Sequence, residues 1–235
     1  MRMTNRLLLA TVAAMGVAAS PAMAQNEGDC SALPSYGQLQ KAMEIAAGNT
    51  SGITGDNRGF GLEMWGTVVN RDGVVCAVVF TGNHRGDQWP GSRVISAQKA
   101  NTANAFSLPN LALSTANLYR LVQPGASLFG LQESNPVDTL VAYQGPAGRY
   151  GQDTDPMVGR KIGGVNVFGG GLALYRNGVI VGALGVSGDT SCADHNIAWK
   201  ARQELGLNST PTSDNIAYGA AAHPFCFGGE TPPLP

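Results

Sequence analysis

Six polar or turn-forming residues on two predicted helices could bind a small ligand: Lys99, Thr102, Gly188, Asp189, Asp194 and His195. Lys99 and Thr102 lie one turn apart on the first helix, and the others lie where the chain turns into the second. The N-terminus of a helix offers free backbone N–H groups and the positive end of the helix dipole, which favour an anion such as a carboxylate. The pattern predicts a site for a small anionic ligand.

Several of these residues also have a purely structural interpretation. Asp189 and Asp194 lie at the start of the second helix, where Asp is a favoured capping residue. Lys99 could pair with a ligand carboxylate or lie on a solvated helix face. The sequence alone leaves these alternatives open.

No catalytic motif is found in the sequence. The run Gly-Val-Ser-Gly at 185–188 departs from the Gly-x-Ser-x-Gly nucleophile elbow. The glycine-rich run at 163–171 lacks the Lys-Ser/Thr that ends a phosphate-binding P-loop. Asp194 and His195 are adjacent on a helix and point in different directions, which disfavours a proton relay. We assign no catalytic residue and lean away from an enzyme.

The charge balance and the N-terminus indicate where the protein works. The 235 residues carry 15 basic and 16 acidic side chains, without the basic excess of a nucleic-acid-binding protein. Residues 1–24 have the parts of a secretory signal peptide, namely a basic start, an apolar run over 7–19 and an Ala-Met-Ala cleavage signal. We predict a periplasmic or secreted protein that does not insert into a membrane after cleavage. Its parts are a leader at 25–34, a domain at 35–207 and a Pro/Gly-rich tail at 208–235.

Four cysteines remain after the predicted cleavage: Cys30, Cys76, Cys192 and Cys226. An even number in an oxidising compartment favours two disulfides. Their spacing includes no Cys-x-x-Cys pair, which argues against a zinc ribbon. Three pairings are open at this point.

Hydrophobic periodicity predicts helices at 35–47, 91–106 and 191–205, with a shorter helix after Ser114. Two β-hairpins are predicted, one around the turn 70–73 and one around Asn177-Gly178. Ser92 is a candidate N-cap of the second long helix, and Gly206 suits the C′ position of the last. The stretch 131–169 is irregular, and a long irregular loop in a compact domain is often functional or assembly-related.

Three sequence blocks resemble the GlcG/HbpS family, also called the haem-degrading or DUF336 family. The blocks are the hairpin turn Asn70-Arg71-Asp72-Gly73, the segment from Pro90 to Phe106, and the Gly-rich hairpin from Gly169 to Gly188. Asp194 followed by Ile197-Ala198 is similar to the family's last helix. The resemblance implies an α/β (α+β) fold, a profilin-like antiparallel sheet of about five strands with packed helices, and a homo-oligomer. The stretch 131–169 is then an insertion.

The same resemblance implies an exported haem-binding or haem-handling protein. Neutral imidazole is a common axial ligand of haem iron, and the candidates are His84 and His195, with His223 as a third. Some haem-binding relatives use a histidine on the N-terminal helix, but residues 31–47 contain none. An alternative is an accessory protein or enzyme acting on a small carboxylate metabolite, and a further one is an oligomeric scaffold.

The implied topology also ranks the disulfides. The first helix would bring Cys30 to the end of the hairpin where Cys76 begins its strand. The tail after Gly206 would run back along the last helix and bring Cys226 towards Cys192. Cys30–Cys76 with Cys192–Cys226 is therefore the preferred pairing.

Overall fold

A computed structural model describes residues 29–48, 57–208 and 213–233. The predicted signal peptide at 1–24 and the start of the leader lie outside the described residues. Among the helices in those ranges, none is long and apolar enough to cross a membrane.

One antiparallel sheet forms the centre of the fold. Its strands are β1 (Trp65–Asn70), β2 (Val75–Phe80), β3 (Gly171–Arg176) and β4 (Val179–Ser187), in the order β2-β1-β4-β3. The two hairpins predicted from the sequence supply the outer pairs, and β1 pairs with β4 to join them. The mixed, profilin-like α/β architecture expected from the resemblance is confirmed.

The sheet has four strands in the described residues, whereas about five were expected. Residues 159–161 run beside the start of β2, where Val74 and Lys161 form an isolated bridge. The pairing stops there because Gly159, Gly163 and Gly164 all have positive φ angles, which extended strands do not accommodate. This segment remains a bridge and does not become a fifth strand.

Two layers of helices cover the sheet. The helices are α1 (Tyr36–Ala47), α2 (Ser92–Phe106), α3 (Thr115–Leu118), α4 (Thr139–Ala142) and α5 (Ser191–Glu204). Side chains alternate along the strands, so Val68 packs with α1 and α5 while its neighbour Val69 packs with α2. Both faces of the sheet are therefore buried, which explains the nearly continuous apolar sequence of β4.

Glycines allow α2 to lie very close to the sheet. A Cβ atom on Gly185 would overlap the carbonyl oxygen of Ser96 and the amide nitrogen of Ala100. A Cβ on Gly171 would meet the carbonyl oxygen of Lys99 at 2.5 Å. The close approach sets where the polar residues of α2 end up.

The helix ends agree only partly with the sequence predictions. The N-cap of α2 is Gly91, and Ser92 is already inside the helix, so the expected Ser92 cap is wrong. Thr190 caps α5 by accepting a hydrogen bond from the Ala193 amide. Gly206 has a φ of 62° and occupies the predicted C′ position after α5, followed by buried Leu207.

The stretch 131–169 is short helix and turn, and it packs onto α2. Met157 and Ile162 are fully buried in the core beneath α2. Asp155 forms a buried two-pronged ion pair with Arg93 of α2, and the Tyr150 ring lies 3.7 Å from the Arg93 guanidinium carbon. This contact network fixes the segment to the domain.

Two disulfides close the structure, Cys30–Cys76 and Cys192–Cys226, with Cα–Cα distances of 5.7 and 6.2 Å. This is the pairing preferred from the sequence. The second bond ties the tail to the first turn of α5. A buried ion pair between Arg202 and Asp214 holds the beginning of the same tail.

Candidate functional site

A buried ion pair lies at the centre of the candidate site. Lys99 of α2 donates to the Asp194 carboxylate of α5 at 2.7 Å and to the Val186 carbonyl at 3.0 Å. Lys99 is only 1% exposed, so the solvated-face interpretation is wrong. Burial lowers the pKa of Lys99, and it raises the pKa of Asp194 even though Lys99 opposes that shift.

Asp194 also organises the turn that precedes α5. Its other carboxylate oxygen accepts hydrogen bonds from the amides of Gly188 and Asp189 at 3.1 and 2.9 Å. A Cβ on Gly188 would meet the carbonyl oxygen of Glu63 at 2.5 Å, so this turn has room only for glycine there. Asp194 therefore connects α2, the turn and α5, and it does not cap a helix.

Asp189 holds a different segment. Its carboxylate accepts hydrogen bonds from the amides of Phe60, Leu62 and Thr190, at 2.8, 3.1 and 2.6 Å. Since Thr190 caps α5, the capping interpretation of Asp189 and Asp194 is wrong. Asp189 instead anchors the segment that leads into β1.

A cleft of about 250 Å³ opens over these groups. Lys99, Asp189 and Asp194 lie at its base, and Trp89 and Phe168 form its edges with exposed fractions of 52% and 45%. Three sequence-predicted residues do not line it: Thr102, Gly188 and His195. Thr102 instead accepts a hydrogen bond from the Asn166 amide at 2.9 Å and donates to the Gln98 carbonyl. The structure thus brings together half of the predicted ligand-binding set.

The three histidines have very different surroundings. His84 is exposed in the loop after β2, 3.9 Å from the Asp87 carboxylate. His195 is fully buried, and neither ring nitrogen makes a well-formed hydrogen bond. Burial lowers the pKa of His195 to about 3, Arg202 adds to that shift, and the Asn215 side chain opposes it. His195 is therefore neutral at pH 7.

His223 lies in the tail and is 1% exposed. Its Nδ1 atom is 2.8 Å from the carbonyl oxygen of Pro224, and its Nε2 atom is buried without a hydrogen-bond partner. Burial lowers the pKa of His223, so this ring also favours the neutral form. In the neutral ring Nδ1 then carries the proton and donates to Pro224.

A second depression, of about 530 Å³, lies next to the cleft and is called the groove below. Its lining includes Tyr119, Arg120, Phe225 and the small residues on either side of His223. The Tyr119 ring of the groove is 6.0 Å from the Phe168 ring of the cleft.

We call Trp89, Tyr119, Phe168 and Phe225 together the aromatic surface. Sequence reasoning missed all four, because they lie far apart in the sequence and share no periodic pattern; three are in loops, and Tyr119 begins a short 3-10 helix. The only available signal was the presence of large aromatic residues in otherwise Gly- and Pro-rich connections.

The cysteines and Glu230 offer no thiolate site. The sulfur atoms of Cys192 and Cys226 lie within 4.8 Å of a Glu230 carboxylate oxygen. They are bonded to each other, and a disulfide lacks the thiolate that ligates metals.

The family described as haem degrading protein HbpS-like matches residues 41–203. The chain belongs to this HbpS-like family. The matched range contains the whole sheet, α2 to α4, nearly all of α5 and the C-terminal half of α1, and it ends before the tail that contains His223.

Relatives of this HbpS-like chain match it over only part of their own length. The corrinoid adenosyltransferase PduO of Salmonella typhimurium is 30% identical over 120 residues, which are 51% of this chain and 28% of PduO. An uncharacterized 15.0 kDa protein of the dhaT-dhaS intergenic region of Citrobacter freundii is 34% identical over 44% of this chain and 51% of its own length. The chain thus covers from 28% to 51% of these relatives.

The crystal structure of a PduOC:haem complex has the same fold. It superposes with a TM-score of 0.50 at 23% identity and covers 74% of this chain and 93% of that one. At this identity the likeness concerns the fold alone.

The described residues offer several contacts for the ring of a haem but few ligands for its iron. The aromatic surface offers apolar faces for a flat macrocycle, and Arg120 at the groove could pair with a carboxylate substituent. Tyr119 is the only lining residue of cleft or groove, within the described chain, whose side chain is a familiar haem ligand. The ring of His223 is adjacent to it, with 5.2 Å between the ring centroids.

Proposed function

We propose that this protein is an exported haem-binding protein and that haem lies on the aromatic surface. The observation that carries the proposal is an aromatic surface of three exposed rings and the half-buried Tyr119 on a chain of the HbpS-like family. Ligand sites are typically concave and lined by apolar and aromatic side chains with a few polar groups, and cleft and groove together have that character.

The size of the two depressions favours a large flat ligand over a small one. The groove is about 530 Å³ and the cleft about 250 Å³, and Tyr119 of the groove lies 6.0 Å from Phe168 of the cleft. A ring system spanning both would contact aromatic side chains along its length. The likeness to the PduOC:haem structure adds support from a protein of the same fold.

The charges at the base of the cleft disfavour the alternative of a small carboxylate ligand. Two carboxylates, Asp189 and Asp194, line the cleft with a single ammonium group, Lys99. That ammonium group is already paired with Asp194 at 2.7 Å. A carboxylate entering the cleft would therefore meet a net negative base, and a haem is better placed with its acidic substituents towards Arg120.

Export is part of the proposal. The signal-peptide features of residues 1–24 and the two disulfides both fit an oxidising compartment outside the cytoplasm. N-terminal sequencing of the expressed protein should find a chain that begins at Gln25. A mature chain that still begins at Met1 would contradict export by this route.

Titration with hemin, followed by the Soret absorption band, tests haem binding. We expect saturable binding by the wild type, and a Kd raised about tenfold by Phe168→Ala, since an aromatic contact contributes up to about 1.5 kcal/mol. Phe129→Ala is the matched control, because Phe129 is 65% exposed and lines neither cleft nor groove. Absence of saturable binding by the wild type would refute the proposal.

A further inference from the structure

The tail, which lies outside the family match, places a histidine next to Tyr119 of the aromatic surface. His223 follows a turn of small residues, and Cys226, three positions later, is bonded to Cys192 of α5. An isolated bridge between Tyr218 and His223 closes that turn. The imidazole is thus held in place by the tail's own contacts.

The hydrogen bonding of His223 is that of a metal ligand. The Nδ1–H group donates to the Pro224 carbonyl at 2.8 Å, which leaves Nε2 with a free lone pair. Histidines that bind metals almost always donate their other ring N–H to a carbonyl or carboxylate in this way. Nε2 is buried and has no partner in the protein. A buried acceptor without a partner is costly, so such an atom calls for an explanation.

The His223 ring lies next to the groove, although the side chain does not itself line it. Ala222 and Pro224, on either side of His223, line the groove, and so does Tyr119. The Tyr119 and His223 rings are 5.2 Å apart and inclined at 52°. Tyr119 is therefore the groove side chain whose ring contacts His223.

The other histidines are less suited to the same role. His195 has unpartnered nitrogens as well, but it lines neither cleft nor groove and is fully buried. His84 is exposed, yet it belongs to a loop that contributes only Trp89 to the cleft.

We propose that His223 is the axial ligand of the haem iron, bound through Nε2, and that Tyr119 moves aside when haem enters the groove. In this step the Nε2 lone pair forms a bond to ferric iron in place of a water ligand, and no electron is transferred. The inference rests on the proposed haem binding. It adds a ligand from a segment that the family match does not include.

Resonance Raman spectra of the full chain loaded with hemin and reduced to the ferrous state test the assignment. We expect an iron–histidine stretching band in the wild type and its loss in His223→Gln. The glutamine keeps a similar volume and an N–H donor for Pro224, so the tail should still fold. Binding of hemin by this variant, followed by the Soret band, shows whether the aromatic surface is intact.

Two further variants complete the test. His84→Gln and Tyr119→Phe should both keep the iron–histidine band. An unchanged band in His223→Gln, or a loss of the wild-type ligand signature only in Tyr119→Phe, would overturn the assignment while leaving haem binding in place.

Should His223→Gln fail to fold, His223→Ala with added imidazole replaces it, and restoration of the wild-type band is expected only if the emptied position faces the iron. A wild type that does not bind hemin would instead refute the proposed function itself.

Discussion

At the scale of single residues, the two carboxylates of the site accept several hydrogen bonds each, whereas two buried imidazoles in the described part of the chain have ring nitrogens without a hydrogen-bond partner. Asp194 receives three hydrogen bonds and Asp189 receives three. His195 and His223 each keep at least one ring nitrogen unpartnered. Most buried polar groups in proteins are hydrogen-bonded, and the exceptions often mark functional positions. The other such atoms in the described residues are Asn196 Oδ1, Arg202 Nε and the Tyr218 hydroxyl, and all of these residues belong to α5 or to the tail.

Neutral, buried His195 makes the haem-free protein sensitive to acid. Its pKa is about 3 in the folded state and about 6.5 when unfolded, so only the unfolded chain takes up its proton between these values. The contribution of His195 to the free energy of unfolding is constant above about pH 6.5, and it falls by about 5 kcal/mol as the pH approaches 3. Asp194 acts in the opposite direction between about pH 6 and 4, because burial raises its pKa.

His195→Gln removes the group that takes up a proton on unfolding. The free energy of unfolding of this variant should therefore fall less steeply below pH 6.5 than that of the wild type. Urea unfolding of the haem-free protein at a series of pH values measures it. His84→Gln, at an exposed position, should keep the wild-type pH dependence. An equal fall in wild type and His195→Gln would mean that His195 is already charged in the folded state.

At the scale of elements, glycines in the strands and loops determine how closely the helices pack. Gly185 of β4 lies against the backbone of α2, and Gly169 lies against the Ser191 carbonyl of α5. These contacts bring Lys99 and Asp194 within hydrogen-bonding distance although they belong to helices on opposite faces of the sheet. The Gly-rich block of the sequence therefore has a positional role at the site.

Gly185→Ala should destabilise the fold by about 3 kcal/mol or more, because the added methyl group overlaps backbone atoms of α2 that cannot move alone. Gly86→Ala is the matched control, since no atom lies within 4 Å of a Cβ at that exposed position. The control should change stability by less than about 0.5 kcal/mol. Thermal or urea unfolding gives both values, and a neutral Gly185→Ala would show that α2 is not held at this distance.

Local patterns predicted the elements well and the site only in part. The hairpins and long helices were predicted because turn residues and apolar periodicity act over a few positions. The burial of Lys99 was not, because it depends on α2, β4 and α5 meeting at one point. The cap of α5 differs for a related reason: the Asp189 and Asp194 carboxylates are engaged elsewhere, and Thr190 takes the capping position.

At the scale of the whole molecule, the tail completes a surface that the domain forms only in part. Trp89, Tyr119 and Phe168 come from the domain, and Phe225 comes from the tail. The Cys192–Cys226 disulfide and the Arg202–Asp214 ion pair hold the tail against α5. An oxidising compartment, which keeps that disulfide intact, would therefore also keep the aromatic surface assembled.

Hydrogen–deuterium exchange of the full chain with and without hemin shows both whether haem binds and whether it binds at the aromatic surface. We expect hemin to slow the exchange of backbone amides in segments 119–122, 166–171 and 217–225, which carry or adjoin the aromatic surface. A separate depression beside α1, lined by Gly37, Lys41 and Ile45, serves as an internal comparison and should be unaffected. If hemin protected no segment, or only residues on the α1 face, haem binding at the aromatic surface would be contradicted.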